Sequence, residues 1–135
     1  MTRIAPTAFF GKTFDEAMTL LVEARDLIAA GAGERPRDRS IEDHLRMARE
    51  TMRVTARLTQ VMAWLLAQKA VHAGELTPQQ AASEAHRLSG HAICLDADEA
   101  LCAGLPIGLQ GLLKRSHALY VRVARLDDLV RRAAE

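Results

Sequence analysis

Apolar residues recur three and four positions apart in three long stretches of the chain, which is the pattern of amphipathic α-helices. These stretches predict helices over about 14–30, 40–73 and 106–132. Between the last two, the start signal TPQQ at residues 77–80 predicts a short accessory helix over about 78–88. The pattern therefore predicts an all-α protein.

Local signals mark the ends of these helices. Thr13 and Glu16 form a capping box at the start of the first helix, and Gly31 is expected to end it. Gly74 is expected to close the second helix in the same way. The segment that precedes the last helix is hard to assign, and we expect a short helical turn around residues 97–102.

Two apolar stripes follow the second helix. The first consists of Ile41, Leu45, Ala48, Met52, Thr55, Thr59, Met62 and Leu66. The second consists of Met47, Thr51, Val54, Leu58, Val61, Leu65 and Val71. The charged residues of the first half are expected to face solvent, namely Glu42, Asp43, Arg46, Arg49, Glu50, Arg53 and Arg57. Residues 61–67 are apolar on every face, so this segment needs neighbours on several sides, from its own chain or from a second copy.

The length of the second helix predicts the overall shape. At 1.5 Å per residue it extends roughly 50 Å, whereas a compact domain of 135 residues would be about 37 Å across. The last helix is long enough to lie antiparallel to it, and the first supplies a third side. We therefore predict a single helical domain over residues 1–135, an elongated three-helix bundle with one short accessory helix.

Six residues are candidates for an interface with a partner or with a second copy: Phe9, Phe10, Met62, Trp64, Leu66 and Tyr120. Trp64 could lie at an interface or in the core of its own chain. The core is favoured, because a large aromatic side chain fills a core more often than an interface. Tyr120 is expected at the rim of the bundle, with its hydroxyl in water.

Composition excludes several classes of protein. Lys and Arg number 18 against 17 Asp and Glu, so the net charge of +1 does not demand nucleic acid or a membrane surface as partner. The longest apolar run, residues 61–67, is far shorter than the roughly 20 residues that span a bilayer. Cys94 and Cys102 are too few for a disulfide scaffold, and the N-terminus does not resemble a secretory signal. A cytoplasmic protein with reduced thiols is expected.

Signals of catalysis or metal binding are weak. His86, His91, Cys94 and Cys102 form the densest group of metal-ligand residue types, but their spacing matches no standard zinc pattern. Cys94 would need a base and a lowered pKa to act as a nucleophile, and His91 is the nearest candidate. The sequence contains no nucleophile elbow, phosphate-binding glycine loop or H-E-x-x-H motif. We therefore expect no catalytic residues, no metal and no cofactor.

Several blocks of the sequence resemble the RcdA family, the alphaproteobacterial regulators of CtrA degradation. They are TAFF at 7–10 with TFDEA at 13–17, RVTARLTQVMAWLLAQKAV at 53–71, LQGLL at 109–113 and LYVRVARLD at 119–127. The resemblance extends over nearly the whole chain. Its most specific part is the block around the tryptophan, where the order of polar and apolar residues matches as well as the period.

The resemblance implies a non-enzymatic adaptor that forms homodimers of helical bundles. Such proteins help to deliver cell-cycle regulators to the ClpXP protease, together with a response regulator of the CpdR type, and polar recruitment within the cell is part of this role. Cargo binding and self-association compete in the family. The resemblance also implies a flexible tail after the bundle, whereas this chain ends at Glu135, directly after the last predicted helix. On that basis, recruitment through a tail is not expected of this chain, and its role is expected to be narrower or different.

A second function remains open at this point. The chain could be a helical regulatory module that binds nucleic acid or another regulator without a protease. Its arginines are interleaved with acidic residues along the second helix, which disfavours nucleic acid as the partner.

Overall fold

The computed structural model describes residues 7–33, 40–96 and 104–135. Its elements, in chain order, are α1 (Thr7–Gly33), α2 (Ile41–His72), α3 (Pro78–Ala81), a 3-10 turn (Glu84–His86), α4 (His91–Cys94) and α5 (Ile107–Ala134). These ranges contain helices and connecting turns and no β-strand. The all-α prediction is therefore confirmed.

The helices α1, α2 and α5 form a three-helix bundle in which each packs against the other two. The core surrounds Trp64 and includes Ala17, Leu20, Leu58, Leu65, Leu109, Leu119 and Val123. With 32 residues, α2 is about 48 Å long at 1.5 Å per residue. The short elements between α2 and α5 pack onto α2. The predicted elongated bundle with a small accessory element is confirmed.

The first helix begins earlier than predicted, at Thr7 instead of about residue 14, and passes through Gly31 to Gly33. Thr13 is therefore a buried position inside the helix and not its N-cap. The cause is tertiary packing, because Phe10 is buried edge-on against Trp64 with ring centroids 5.9 Å apart. Burying such a side chain contributes about 1.5–3 kcal/mol, more than the roughly 1 kcal/mol that a glycine costs inside a helix.

The accessory helix is shorter than predicted. Its capping box is present, since Thr77 Oγ1 accepts from the Gln80 amide at 3.1 Å and Gln80 Oε1 accepts from the Thr77 amide at 2.9 Å. After one turn, however, the Ser83 hydroxyl donates to the Gln80 carbonyl at 2.6 Å. This side-chain bond competes with continued α-helix, and the chain passes instead into the 3-10 turn and then to α4.

Glycines with positive φ mark two of the element ends. Gly74 has φ of +79° and directly follows the C-cap of α2, as its sequence position predicted. Gly90 has φ of +76° and precedes α4, a helical turn that the sequence pattern did not predict. The turn expected around residues 97–102 lies outside the described residues.

The rotation of α2 about its own axis is the main difference from the sequence prediction. The charged side expected to face solvent is turned inward in part, since Glu50 is buried and Arg57 is only 1% exposed. The second apolar stripe faces α1 and α5, and the first stripe faces outward. The two stripes lie about 100° apart around the helix axis, and α2 is rotated so that the second stripe and the side of Arg57 are buried while the first stripe is exposed. The Arg57 guanidinium finds hydrogen-bond acceptors in the interior. The sequence prediction of a charged solvent face was therefore wrong for Glu50 and Arg57, whereas Glu42, Asp43 and Arg49 are exposed as predicted.

Two aromatic side chains of the core use their polar atoms inside the bundle. Trp64 Nε1 donates to Asp127 Oδ1 at 2.9 Å, and both residues are buried. The Tyr120 hydroxyl donates to the Ser89 carbonyl at 2.6 Å, and the ring has no exposed surface. The prediction that Tyr120 lies at the rim with its hydroxyl in water was wrong, because the segment around Ser89 covers it.

We expect Asp127→Ala to lower the free energy of unfolding by about 1–3 kcal/mol, because the buried indole N–H of Trp64 would lose its acceptor. Urea unfolding followed by circular dichroism measures the change. Asp128→Ala is the matched control, since that side chain is 51% exposed and its ion pairs contribute little. Equal effects of the two substitutions would contradict the role assigned to the Trp64–Asp127 hydrogen bond.

Candidate partner-binding surface

A long apolar stripe on α2 faces solvent. It consists of Ile41, Leu45, Ala48, Met52, Thr55, Thr59, Met62 and Leu66 and is called the outer stripe below. Ile41 is 78% exposed and Met52 is 71% exposed, while Met62 is half-buried against the core. Contiguous exposed apolar surface of this kind usually marks a binding site on a protein that folds in water.

The outer stripe has the spacing of a coiled-coil seam. Its successive members are four and three residues apart in alternation from Ile41 to Leu66, which is a period of 3.5 residues. None of its side chains carries a charge. The Thr55 hydroxyl donates to the Thr51 carbonyl at 3.0 Å, so it is satisfied within the helix. The stripe is therefore suited to a second helix lying alongside α2 over about 38 Å.

The structure separates the six residues proposed from the sequence as interface candidates. Phe10, Trp64 and Tyr120 lie together in the core of the bundle, and their side chains have no surface to offer a partner. Leu66 is exposed and Met62 is half-buried, and both belong to the outer stripe. Phe9 lies in the first turn of α1, and its side chain is outside the described part of the chain.

Sequence reasoning did not include the most exposed members of the outer stripe, Ile41, Leu45 and Met52, among the interface candidates. The period could not have found them, because the inward stripe from Met47 to Leu65 has the same alternation of four and three. The sequence prediction included Trp64 and Tyr120 because they are aromatic, and both residues are buried in the core.

A second feature lies on the side of α2 that carries Arg57, away from the outer stripe. Residues 89–96, called the strap below, cover the groove between α2 and α5 and are held there by buried polar side chains. Arg57 donates from Nε to the Cys94 carbonyl at 2.8 Å and from Nη2 to the Asp96 carbonyl at 2.8 Å. Its Nη1 donates to the Leu113 carbonyl and the Ser116 hydroxyl of α5. One buried guanidinium group thus joins α2, α5 and the strap.

The neighbouring carbonyls of the strap are held in the same way. Arg53 Nη1 donates to the Ile93 carbonyl at 2.6 Å and lies 3.4 Å from Asp96 Oδ2. His117 Nε2 lies 3.1 Å from the Leu95 carbonyl. Four consecutive carbonyl oxygens, from residues 93 to 96, therefore each meet a side chain of α2 or α5. Most of these contacts go to the backbone of the strap, and the Arg53–Asp96 ion pair adds a contact to a side chain.

Burial changes the pKa values of three side chains in this region. It lowers the pKa of the Arg57 guanidinium, and the neighbouring Arg53 lowers it further, although arginine keeps its charge in proteins. Burial raises the pKa of the Cys94 thiol and that of the Tyr120 hydroxyl. The thiol is therefore held neutral in the folded protein, which is the opposite of what a nucleophilic cysteine requires.

The described residues offer little else for chemistry. No group of three or more metal-ligating side chains comes together within residues 7–33, 40–96 and 104–135. Two shallow clefts of about 370 and 350 Å³ lie at the surface, the larger beside Arg87 and Arg131 and the smaller between Glu16 and Arg115. In that same part of the chain, no helix is both long and apolar enough to cross a bilayer.

Comparisons with known proteins agree on one family. The family model described as "Protein of unknown function (DUF1465)" matches residues 1–135. The crystal structure of RcdA from Caulobacter crescentus CB15 is similar to this chain, with 35% sequence identity and a TM-score of 0.72. The match covers 96% of this chain and 97% of that one. No sequence among curated proteins matches.

We expect the free energy of unfolding to fall as the pH rises above about 9. Cys94 and Tyr120 have ordinary pKa values of 9.0 and 10.0, and both are raised by burial, so the folded state holds these protons more tightly than the unfolded state. Their contribution is complete below the unfolded pKa values and is lost as the pH passes through the folded ones. Urea unfolding between pH 7 and pH 11 measures the decline.

Matched variants assign this decline to its residues. Cys94→Ala should remove the part that begins near pH 9.0, and Tyr120→Phe should remove the part that begins near pH 10.0. The quantity to compare is the slope of the unfolding free energy against pH, in each variant and in the original chain. Slopes that match in all three proteins would show that neither group is held protonated by the fold.

Proposed function

Because the chain belongs to the RcdA family, we propose that it is a non-enzymatic adaptor assisting regulated degradation of cell-cycle regulators by ClpXP. The observation that carries this proposal is the similarity to RcdA over 96% of the chain, joined to a long exposed apolar stripe that needs a protein partner. The buried, neutral state of Cys94 also favours a binding role over a catalytic one.

The partners in this proposal are the ClpX component of the protease, a response regulator of the CpdR type and a protein cargo. An adaptor of this kind works in the cytoplasm, and recruitment to a cell pole belongs to the same proposal. The support is the family membership, together with a binding surface that offers shape and apolar area and no reactive groups.

A second copy of the chain is the occupant that best fits the outer stripe. In an antiparallel pair about a two-fold axis near the middle of the outer stripe, large apolar side chains meet each other at the two ends, and a methionine meets a threonine at the centre. The pairs would be Ile41 with Leu66, Leu45 with Met62, Ala48 with Thr59, and Met52 with Thr55. A two-fold pairing requires this self-complementarity, and the uncharged stripe presents no repulsion when it meets its own copy.

We expect the chain to be a dimer at tens of micromolar, and Met52→Glu to shift it to a monomer, because each copy would bury an unpaired carboxylate opposite Thr55 of the other copy. Helix content should not change, since Met52 is exposed in the single chain. Ile107→Glu is the control, because Ile107 is also exposed but lies outside the outer stripe. Sedimentation velocity distinguishes the species. A monomeric original chain, or a Met52→Glu variant that still dimerises, would contradict the assignment of the outer stripe to a second copy.

The adaptor role predicts retention of the purified chain by ClpX, by a CpdR-type protein, or by the two together. It also predicts a longer half-life of the master response regulator in a strain that lacks this protein. Pull-down and pulse-chase labelling measure these outcomes. Absence of retention under every combination would contradict the adaptor role, and a shift of genomic DNA fragments with a steep salt dependence would favour a nucleic-acid-binding module instead.

A further inference from the structure

Positive charge is concentrated on α5. Six of the 18 Lys and Arg of the chain lie on this helix, together with only two of its 17 Asp and Glu. Residues 107–126 contain no acidic residue. The two acids that follow are engaged elsewhere, since Asp127 is buried with Trp64 and Asp128 pairs with Arg131. The net charge of +1 therefore combines a basic helix with a remainder that is slightly acidic.

One row of these cations is paired with acids of α1. Arg122 Nη2 lies 2.7 Å from both carboxylate oxygens of Glu16, and Arg115 Nη2 donates to Glu23. The two arginines are seven residues apart, and so are the two glutamates, which places the pairs about two helical turns from each other. This contact shows which kind of segment satisfies a row of cations on α5, namely a helix with an acidic residue at every second turn.

A second row of cations on α5 has no acid opposite it. It consists of Lys114, Arg125 and Arg132 and is called the basic row below. All three side chains are exposed, and none forms an ion pair within the part of the chain that the structure describes. Their separations of eleven and seven residues are close to three and two whole turns, so the residues lie on one line about 27 Å long. Ile107 and Leu129 are exposed on the same side of the helix.

We propose that the basic row docks an acidic amphipathic helix of a partner protein. Carboxylates at helical spacing would face its cations, as Glu16 and Glu23 face the neighbouring row. The proposal rests on the adaptor function, since an adaptor that pairs through the outer stripe needs another surface for a partner. α5 packs on the side of α2 that carries Arg57 and Trp64, away from the outer stripe, so self-association would leave the basic row accessible.

The number and spacing of the cations favour a protein over nucleic acid or a membrane. Three cations along about 27 Å are few against duplex DNA, which has one phosphate for about every 1.7 Å of its axis. Basic segments that bind anionic lipid have clusters of about 4–8 Lys and Arg. The carboxylates of Glu16 and Glu23 lie beside the row and disfavour a wide polyanion. A single helix, about 10 Å across, matches the row in width and in length.

A synthetic helical peptide of about 20 residues serves as the probe, because that length spans the basic row at 1.5 Å per residue. Glutamates recur three and four residues apart along one of its faces, and a second peptide has glutamine at the same positions. Fluorescence anisotropy of the labelled peptides measures their binding to the whole chain. We expect the glutamate peptide to bind near physiological salt and to dissociate at about 1 M salt, where exposed charges are screened. The glutamine peptide should not bind.

Two triple variants of equal net charge separate the basic row from the charge of the whole chain. The row variant combines Lys114→Gln, Arg125→Gln and Arg132→Gln. It should bind the glutamate peptide about tenfold more weakly, since three exposed ion pairs of about twofold each are lost. The control variant removes three exposed cations of α1 and α2 and should bind as the original chain does. It combines Lys12→Gln, Arg25→Gln and Arg49→Gln. Helix content and self-association should stay unchanged in both variants, because all six side chains are exposed.

Equal binding of the glutamate peptide by the row variant and the control variant would overturn the proposal. A DNA duplex or phosphatidylglycerol vesicles that bind more tightly than the peptide, and are lost in the row variant, would assign the row to nucleic acid or a membrane and also overturn it. Pull-down with ClpX and a CpdR-type protein keeps the adaptor function separate. Equal retention of these partners by the two variants would reject the basic row alone, whereas absence of retention by the original chain would contradict the adaptor function.

Discussion

The buried guanidinium of Arg57 is the constraint on which the rest of the structure depends. A charge inside a protein is tolerated only when its hydrogen-bonding groups are satisfied, and Arg57 has its acceptors on two other segments, α5 and the strap. This requirement brings three parts of the chain to one point. It also fixes the rotation of α2, because Arg57 can meet these acceptors only when its own side of the helix faces inward.

The outward face of α2 follows from the same rotation. When Arg57 and Trp64 point toward the core, the opposite side of the helix carries Ile41, Met52 and Leu66 into solvent. The two apolar stripes of α2 lie about 100° apart around its axis, and in this rotation the second stripe is buried and the first is exposed. The exposure of the outer stripe therefore accompanies the burial of Arg57. The outer stripe and the contacts to the strap thus lie on different sides of one helix.

The polar interior also explains why the two aromatic candidates are core residues. Trp64 and Tyr120 each have one polar atom, and each finds a partner from a distant part of the chain, Asp127 and the Ser89 carbonyl. Without these partners both side chains would favour a boundary with water, which is where the sequence alone suggested Tyr120 should lie. Their burial joins the last helix and the strap to α2 by contacts that sequence periodicity does not reveal.

The sequence by itself determined the elements that depend on short-range physics. The long amphipathic helices, the capping box at Thr77 and the glycine after α2 arise from residues within one or two turns of each other. The elongated bundle followed from helix length. Only the tertiary structure decided the start of α1 at Thr7, the rotation of α2 and the course of the strap. These depend on burial of Phe10 and on acceptors for Arg57 that are 37 or more positions away in the chain, and local patterns contain no information about contacts at that range.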